Sequence, residues 1–106
     1  FLDHVNKMAN YLHQQLGALV SGHPDLFAQV RGQGLMIGLK MKTPSADFIA
    51  AARANGLIVL PAGDNVVRLL PPLTLSEDDA RTGMELLNKT ASQLDAARNA
   101  KQVAAQ

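Results

Sequence analysis

Five residues, Val66-Val67-Arg68-Leu69-Leu70, leave the chain little choice of local structure. Branched aliphatic side chains favour an extended backbone, and Pro71-Pro72 ends the segment because proline cannot donate to a ladder. The turn-forming triplet Gly63-Asp64-Asn65 stands directly before it, and the apolar run 57–60 stands before the turn. Two short apolar segments around such a triplet predict a β-hairpin. Because residues 57–60 show no polar alternation, that strand is expected to be buried on both faces or to lie at a domain junction.

The ends of the chain carry a different period. Val5, Met8, Leu12, Leu16 and Leu19 recur every three or four residues, which marks one apolar stripe of a helix, and Ser21-Gly22-His23-Pro24 stops it. Near the other end Ala80, Met84, Leu87, Ala91 and Leu94 repeat the period behind Ser76-Glu77-Asp78-Asp79, a capping hydroxyl followed by carboxylates at the positive end of the helix dipole. From residue 98 to 106 no stripe can be drawn, so a frayed tail is expected there and a folded unit over 1–97. Between the end helices, segments 26–31 and 35–41 flank Gly32-Gln33-Gly34, a spacing suited to a strand pair or to one strand bent at a glycine bulge, and a second hairpin is the reading adopted. Thr43-Pro44-Ser45 reads as an N-cap with proline at the first helical position, and the helix it starts ends at Asn55-Gly56. The order is α-β-β-α-β-β-α with no dividing linker: an α+β fold, a small antiparallel or mixed sheet with helices on one face.

Composition removes several function classes. Ten Lys+Arg against nine Asp+Glu give +1 without a basic run, and aromatic residues are 4% without tryptophan, so neither a phosphate-binding face nor a base-stacking platform for nucleic acid is present. With no cysteine there is no disulfide, thiol nucleophile or cysteine zinc site, a usage compatible with a reducing compartment. The longest apolar runs fall far short of the roughly 20 residues of a membrane helix. The start, Phe1-Leu2-Asp3-His4-Val5, has no initiator methionine or signal features and reads as a piece of a longer chain.

Few side chains point to chemistry. Gly32-Gln33-Gly34-Leu35-Met36-Ile37-Gly38 has the glycines of a dinucleotide loop at the wrong spacing and before a strand, so they serve a tight bend and close packing. His4, His13 and His23 lack metal-ligand spacing and are expected to face solvent; no metal site is indicated. Ser21, Ser45, Ser76 and Ser92 lie in no nucleophile-elbow context. Arg68 differs, being the only polar side chain of its strand. An unpaired buried charge is too costly, so its guanidinium reaches water, a carboxylate or a ligand, and its planar fork suits bidentate capture of a carboxylate.

Three motifs in order resemble one family. Val30-Arg31-Gly32-Gln33-Gly34-Leu35-Met36-Ile37-Gly38, then Asn55-Gly56-Leu57-Ile58-Val59-Leu60-Pro61-Ala62-Gly63, then Asn65-Val66-Val67-Arg68-Leu69-Leu70-Pro71-Pro72-Leu73 before Ser76-Glu77, are similar to the C-terminal small domain of class III pyridoxal-phosphate aminotransferases, nearest their acetylornithine branch. The resemblance covers about residues 1–95. It implies a fold-type I enzyme, cytoplasmic and homodimeric, that transfers an amino group between N-acetylornithine or a similar ω-amino substrate and 2-oxoglutarate in arginine biosynthesis. It assigns Arg68 to the substrate carboxylate. The cofactor lysine, the aspartate on the pyridine nitrogen and the phosphate loop belong by that resemblance to a large domain of the same chain, so no catalytic or cofactor-binding residue is expected here. Lys7, Lys40, Lys42, Lys89 and Lys101 lie outside the family's lysine motif and are expected to be solvated. Two other classes fit the residues alone: a ligand-binding or regulatory α+β module, and an oligomerisation domain. A lysine motif encoded just upstream of Phe1 would decide for the aminotransferase against both.

Overall fold

The first helix, α1 (Leu2–Gly22), buries Met8, Ala9, Leu12, Leu16 and Leu19, the stripe its sequence period dictates. The computed structural model of the protein describes residues 1–105. After α1 the backbone N–H of His23 closes on the carbonyls of Leu19 and Val20, and the chain turns into β1 (Phe27–Gln33). β1 pairs antiparallel with β2 (Met36–Met41), so the first hairpin is present but its turn is Gly34-Leu35, later than the expected Gly32-Gln33-Gly34. Gly32 lies inside the ladder opposite Ile37 with φ 104°, and a Cβ there would stand 1.9 Å from the Met36 carbonyl oxygen. A position so closed to side chains accepts only glycine.

Helix α2 (Ser45–Ala54) begins differently from expectation. Pro44 occupies the N-cap position itself, and the Ser45 N–H is satisfied from a distance by Asn65 Oδ1 at 2.8 Å. The far end follows the sequence: Gly56 takes φ 87°, and the N–H groups of Gly56 and Leu57 donate to the carbonyls of Arg53 and Ala52 in a Schellman motif. The next strand corrects the reading of residues 57–60. Of these only Val59 is buried, Ile58 is 78% exposed, and the strand proper is the short β3 (Leu60–Ala62). Pro61 explains this, since a residue without an N–H suits an edge strand. β3 turns through Gly63-Asp64-Asn65, with Asp64 and Asn65 both at positive φ, into β4 (Val66–Leu69), as the hairpin signal requires.

The four strands lie in the order β1-β2-β4-β3 and every pair is antiparallel. Across the central seam Ile37 faces Leu69 and Leu39 faces Val67, and these side chains meet Leu12, Leu16, Phe48, Met84 and Leu87 in one core on the helix-covered side. The last helix, α3 (Glu77–Ala105), starts where Ser76 Oγ accepts the Asp79 N–H at 3.0 Å. It buries Ala80, Met84, Leu87 and Ala91. At the segment expected to fray, residues 98–106, α3 stays helical through Ala105, since alanine, lysine and glutamine are good helix formers even without a core to pack on. Position 106 lies outside the described residues.

Candidate anion-binding site

The face of the sheet away from the helices holds the residues of interest. Strand pairing places Arg31, Gly38, Arg68 and Leu60 in one row across β1, β2, β4 and β3. Gly38, at the centre, has no side chain to separate the two arginines, and the Cγ1 of Val66 fills the space a Cβ would need, 2.9 Å from it. Val66 is therefore buried although it lies on the open side. Met36, Ala62 and Leu70 complete a shallow groove around Arg31 and Arg68.

Three cations occupy this face, and they are not equivalent. Asp64 sits at the β3–β4 turn and accepts from Arg31 at 2.9 Å through Oδ2, while its Oδ1 lies 3.1 Å from Lys40 Nζ. Lys40 also donates to the Asp64 carbonyl. The hydrogen bonds from Arg31 and Lys40 hold the Asp64 carboxyl below its ordinary range. Arg68 is exposed, and among the described residues no acid forms a salt bridge with it. Two cations thus share one carboxylate, the face keeps an excess of positive charge, and the third cation is left without an acidic partner in a setting made partly apolar by Met36, Leu60 and Leu70. A guanidinium so placed can hold a carboxylate with two parallel N–H···O bonds.

Other candidates lie elsewhere and serve the fold. His4 Nε2 meets the Leu75 carbonyl at 2.7 Å and His13 Nε2 the Gly34 carbonyl at 2.8 Å. His23, expected in solvent, is instead partly buried: its Nδ1 contacts Asp95 and its ring meets Phe27 edge-on, which ties the end of α1 to α3. No three metal-ligating side chains cluster among the described residues. Ser76 is a cap. Lys7 pairs with Glu77, and Lys40, expected to be solvated, is held by Asp64 with 22% of its side chain exposed. Asp64 and Asn65 were legible only as turn formers, because the groups they engage are 20 or more residues away.

A separate hollow of about 240 Å³ opens between α1, α3 and the segments 57–59 and 69–72. Its walls are almost wholly apolar, Asp79 being the one carboxylate, so it has little with which to orient a polar ligand.

With this geometry in place, the comparisons with known proteins agree on one family. The model of the class-III aminotransferases matches residues 1–91. The acetylornithine aminotransferase of Rhodobacter capsulatus is 50% identical over 95 residues, which are 90% of this chain and 24% of that protein. The crystal structure of the acetylornithine aminotransferase of Elizabethkingia anophelis superposes with a TM-score of 0.79 at 25% identity, covering 85% of this chain and 24% of the other. An ornithine delta-aminotransferase from Plasmodium falciparum gives 0.80 at 26% identity over 88% of this chain and 24% of its own. The chain spans about a quarter of the length of the relatives it matches. A family model that matches most of the chain and a relative identical to it at half of the aligned positions show the same thing: the chain belongs to the class-III aminotransferases.

Proposed function

We propose that this chain is the small domain of a pyridoxal-phosphate-dependent transaminase that moves an amino group between N-acetylornithine, or a similar ω-amino substrate, and 2-oxoglutarate, and that its own part is to hold the substrate carboxylate on Arg68. The enzyme is in this reading a cytoplasmic homodimer of arginine biosynthesis, and a large domain of the same chain faces the groove. The observation that carries the proposal is the guanidinium of Arg68, left without an acidic partner among the described residues beside two cations that share Asp64. The 50% identity to a protein named acetylornithine aminotransferase supports the substrate class.

Pyridoxal phosphate supplies the electron sink of such a transfer. The residues present do not fit its anchor. Lys7 and Lys40 are engaged by Glu77 and Asp64, and Lys42, Lys89 and Lys101 stand in solvent, so none offers the sheltered amine that covalent attachment needs. The cofactor is therefore assigned to the large domain. What this chain contributes is position: a carboxylate fixed at Arg68 leaves the substrate only a small range of orientations for its reacting amine.

Arg68→Ala in the full-length enzyme tests the assignment. Removing one partner of a charge-assisted pair in a closed site costs about 2–4 kcal/mol, roughly 30- to 1000-fold in kcat/KM, with cofactor content unchanged. Arg68→Lys is expected to be poor too, because a point charge does not reproduce the fork. Wild-type turnover with a lowered melting temperature would make Arg68 a surface residue of the fold and end the proposal.

A further inference from the structure

We infer that Asn65 is a positioning residue for Arg68: it pins β4 in the one register along β2 that places the guanidinium on the open face. This rests on the reading of Arg68 as the carboxylate grip and goes beyond it.

Register is an open question on this seam. A one-residue slip moves every side chain of a strand to the other face. In most hairpins a tight turn forbids it, but β2 and β4 are joined through α2 and β3, so no turn fixes their alignment. The apolar pattern helps little. In Val66-Val67-Arg68-Leu69-Leu70 a slip by one can leave valine in a valine position and leucine in a leucine position, while Arg68 leaves the open groove for the helix-covered core and an apolar side chain takes its place.

Asn65 supplies the missing constraint. Its backbone carbonyl accepts the Met41 N–H at 3.1 Å. Its side-chain amide donates to the carbonyls of Met41 at 3.1 Å and Thr43 at 2.8 Å, and its Oδ1 accepts the Ser45 N–H at 2.8 Å. All four bonds run from the residue just before β4 to the segment that leaves β2 and enters α2. They are compatible with Lys40 opposite Val66, hence with Gly38 opposite Arg68. The backbone conformation, φ 55°, is one that asparagine and glycine accept more readily than other residues. Glycine in its place keeps the turn and deletes the three side-chain bonds; aspartate keeps the acceptor for Ser45 and loses both donors.

The test compares two substrates in the full-length enzyme: N-acetylornithine, and the matching amine without its α-carboxylate. Asn65→Gly and Asn65→Asp are expected to lose about 10- to 100-fold in kcat/KM for the first, the scale set by small misplacements in active sites, and little for the second. Arg68→Ala is expected to show the same selectivity, and the double variant Arg68→Ala, Asn65→Gly to be no more selective than Arg68→Ala alone. Equal losses on both substrates in the Asn65 variants would overturn the inference and leave Asn65 a residue of stability only. Should Asn65→Gly fail to fold, the same ratio in Asn65→Asp decides. If Arg68→Ala itself fails to discriminate the substrates, the reading of Arg68 falls and the inference with it; if Arg68→Ala discriminates and the Asn65 variants do not, the inference falls alone.

Discussion

Gly32 owes its identity to a neighbour. With φ 104° and the Met36 carbonyl oxygen 1.9 Å from where a Cβ would sit, Gly32→Ala must distort the first hairpin, at a cost of about 1–3 kcal/mol. A thermal melt indistinguishable from that of the parent would contradict the close approach. Asp64 makes a pH-dependent contribution whose sign follows from its environment. Its folded carboxyl lies below the ordinary 3.8, so the stabilisation from Arg31 and Lys40 is complete above that value and is lost only as the pH falls through the lower folded one. The stability difference between the parent and Asp64→Asn is therefore expected to stay flat through the neutral range and to shrink only in strong acid; a change centred near pH 6 would point to a histidine instead. At this scale Arg68 was legible because a lone charge among aliphatic neighbours is conspicuous in a strand. Asn65 was not, because its partners Met41, Thr43 and Ser45 become neighbours only when β4 meets β2.

Elements were easier to read than their edges. Both end helices follow from their stripes, and the second hairpin from its turn triplet, since 3.6- and 2-residue periods and turn chemistry are local properties. The deviations share a cause outside the element. The expected Thr43 cap is replaced by Asn65 from another turn, and the strand expected at 57–60 shrinks to Leu60–Ala62 because an edge beside Pro61 pairs on one side only. α3 extends well past its last buried contacts, and its final side-chain ties to the body come from Asp95 on His23 and Arg98 on Asp25, the latter at 3.6 Å. We propose that the turns after Arg98 fray in solution. Amide exchange is expected to be fast for residues 99–105 and slow for 80–94, whose stripe is packed; uniform protection along α3 would contradict this.

At the scale of the molecule, the apolar surfaces left uncovered are extensive for so small a chain. Ile58 and Leu70, which line the apolar hollow, and Leu73 are more than half exposed, Met36 lines the groove of Arg68, and Leu60 pairs with Arg68 across β3 and β4. Such patches mark contact with further protein. The 106-residue chain on its own is accordingly expected to self-associate and to bind a hydrophobic dye; a strictly monomeric, dye-silent species at high concentration would count against a missing domain. The groove has a second consequence. Arg31, Gly32, Met36 and Gly38 come from the first hairpin, Ala62, Val66, Arg68 and Leu70 from the second, and the two are joined along the β2–β4 seam and by Asp64 on Arg31 and Lys40. An anion that touches both walls binds only the docked arrangement, so by mass action its occupancy and the closure of the seam favour each other. On the proposed role of Arg68, saturating carboxylate is expected to fasten the sheet, slowing the opening of Ile37–Lys40 against Val66–Leu69, so that ligand supply would set how long this part of the molecule stays assembled.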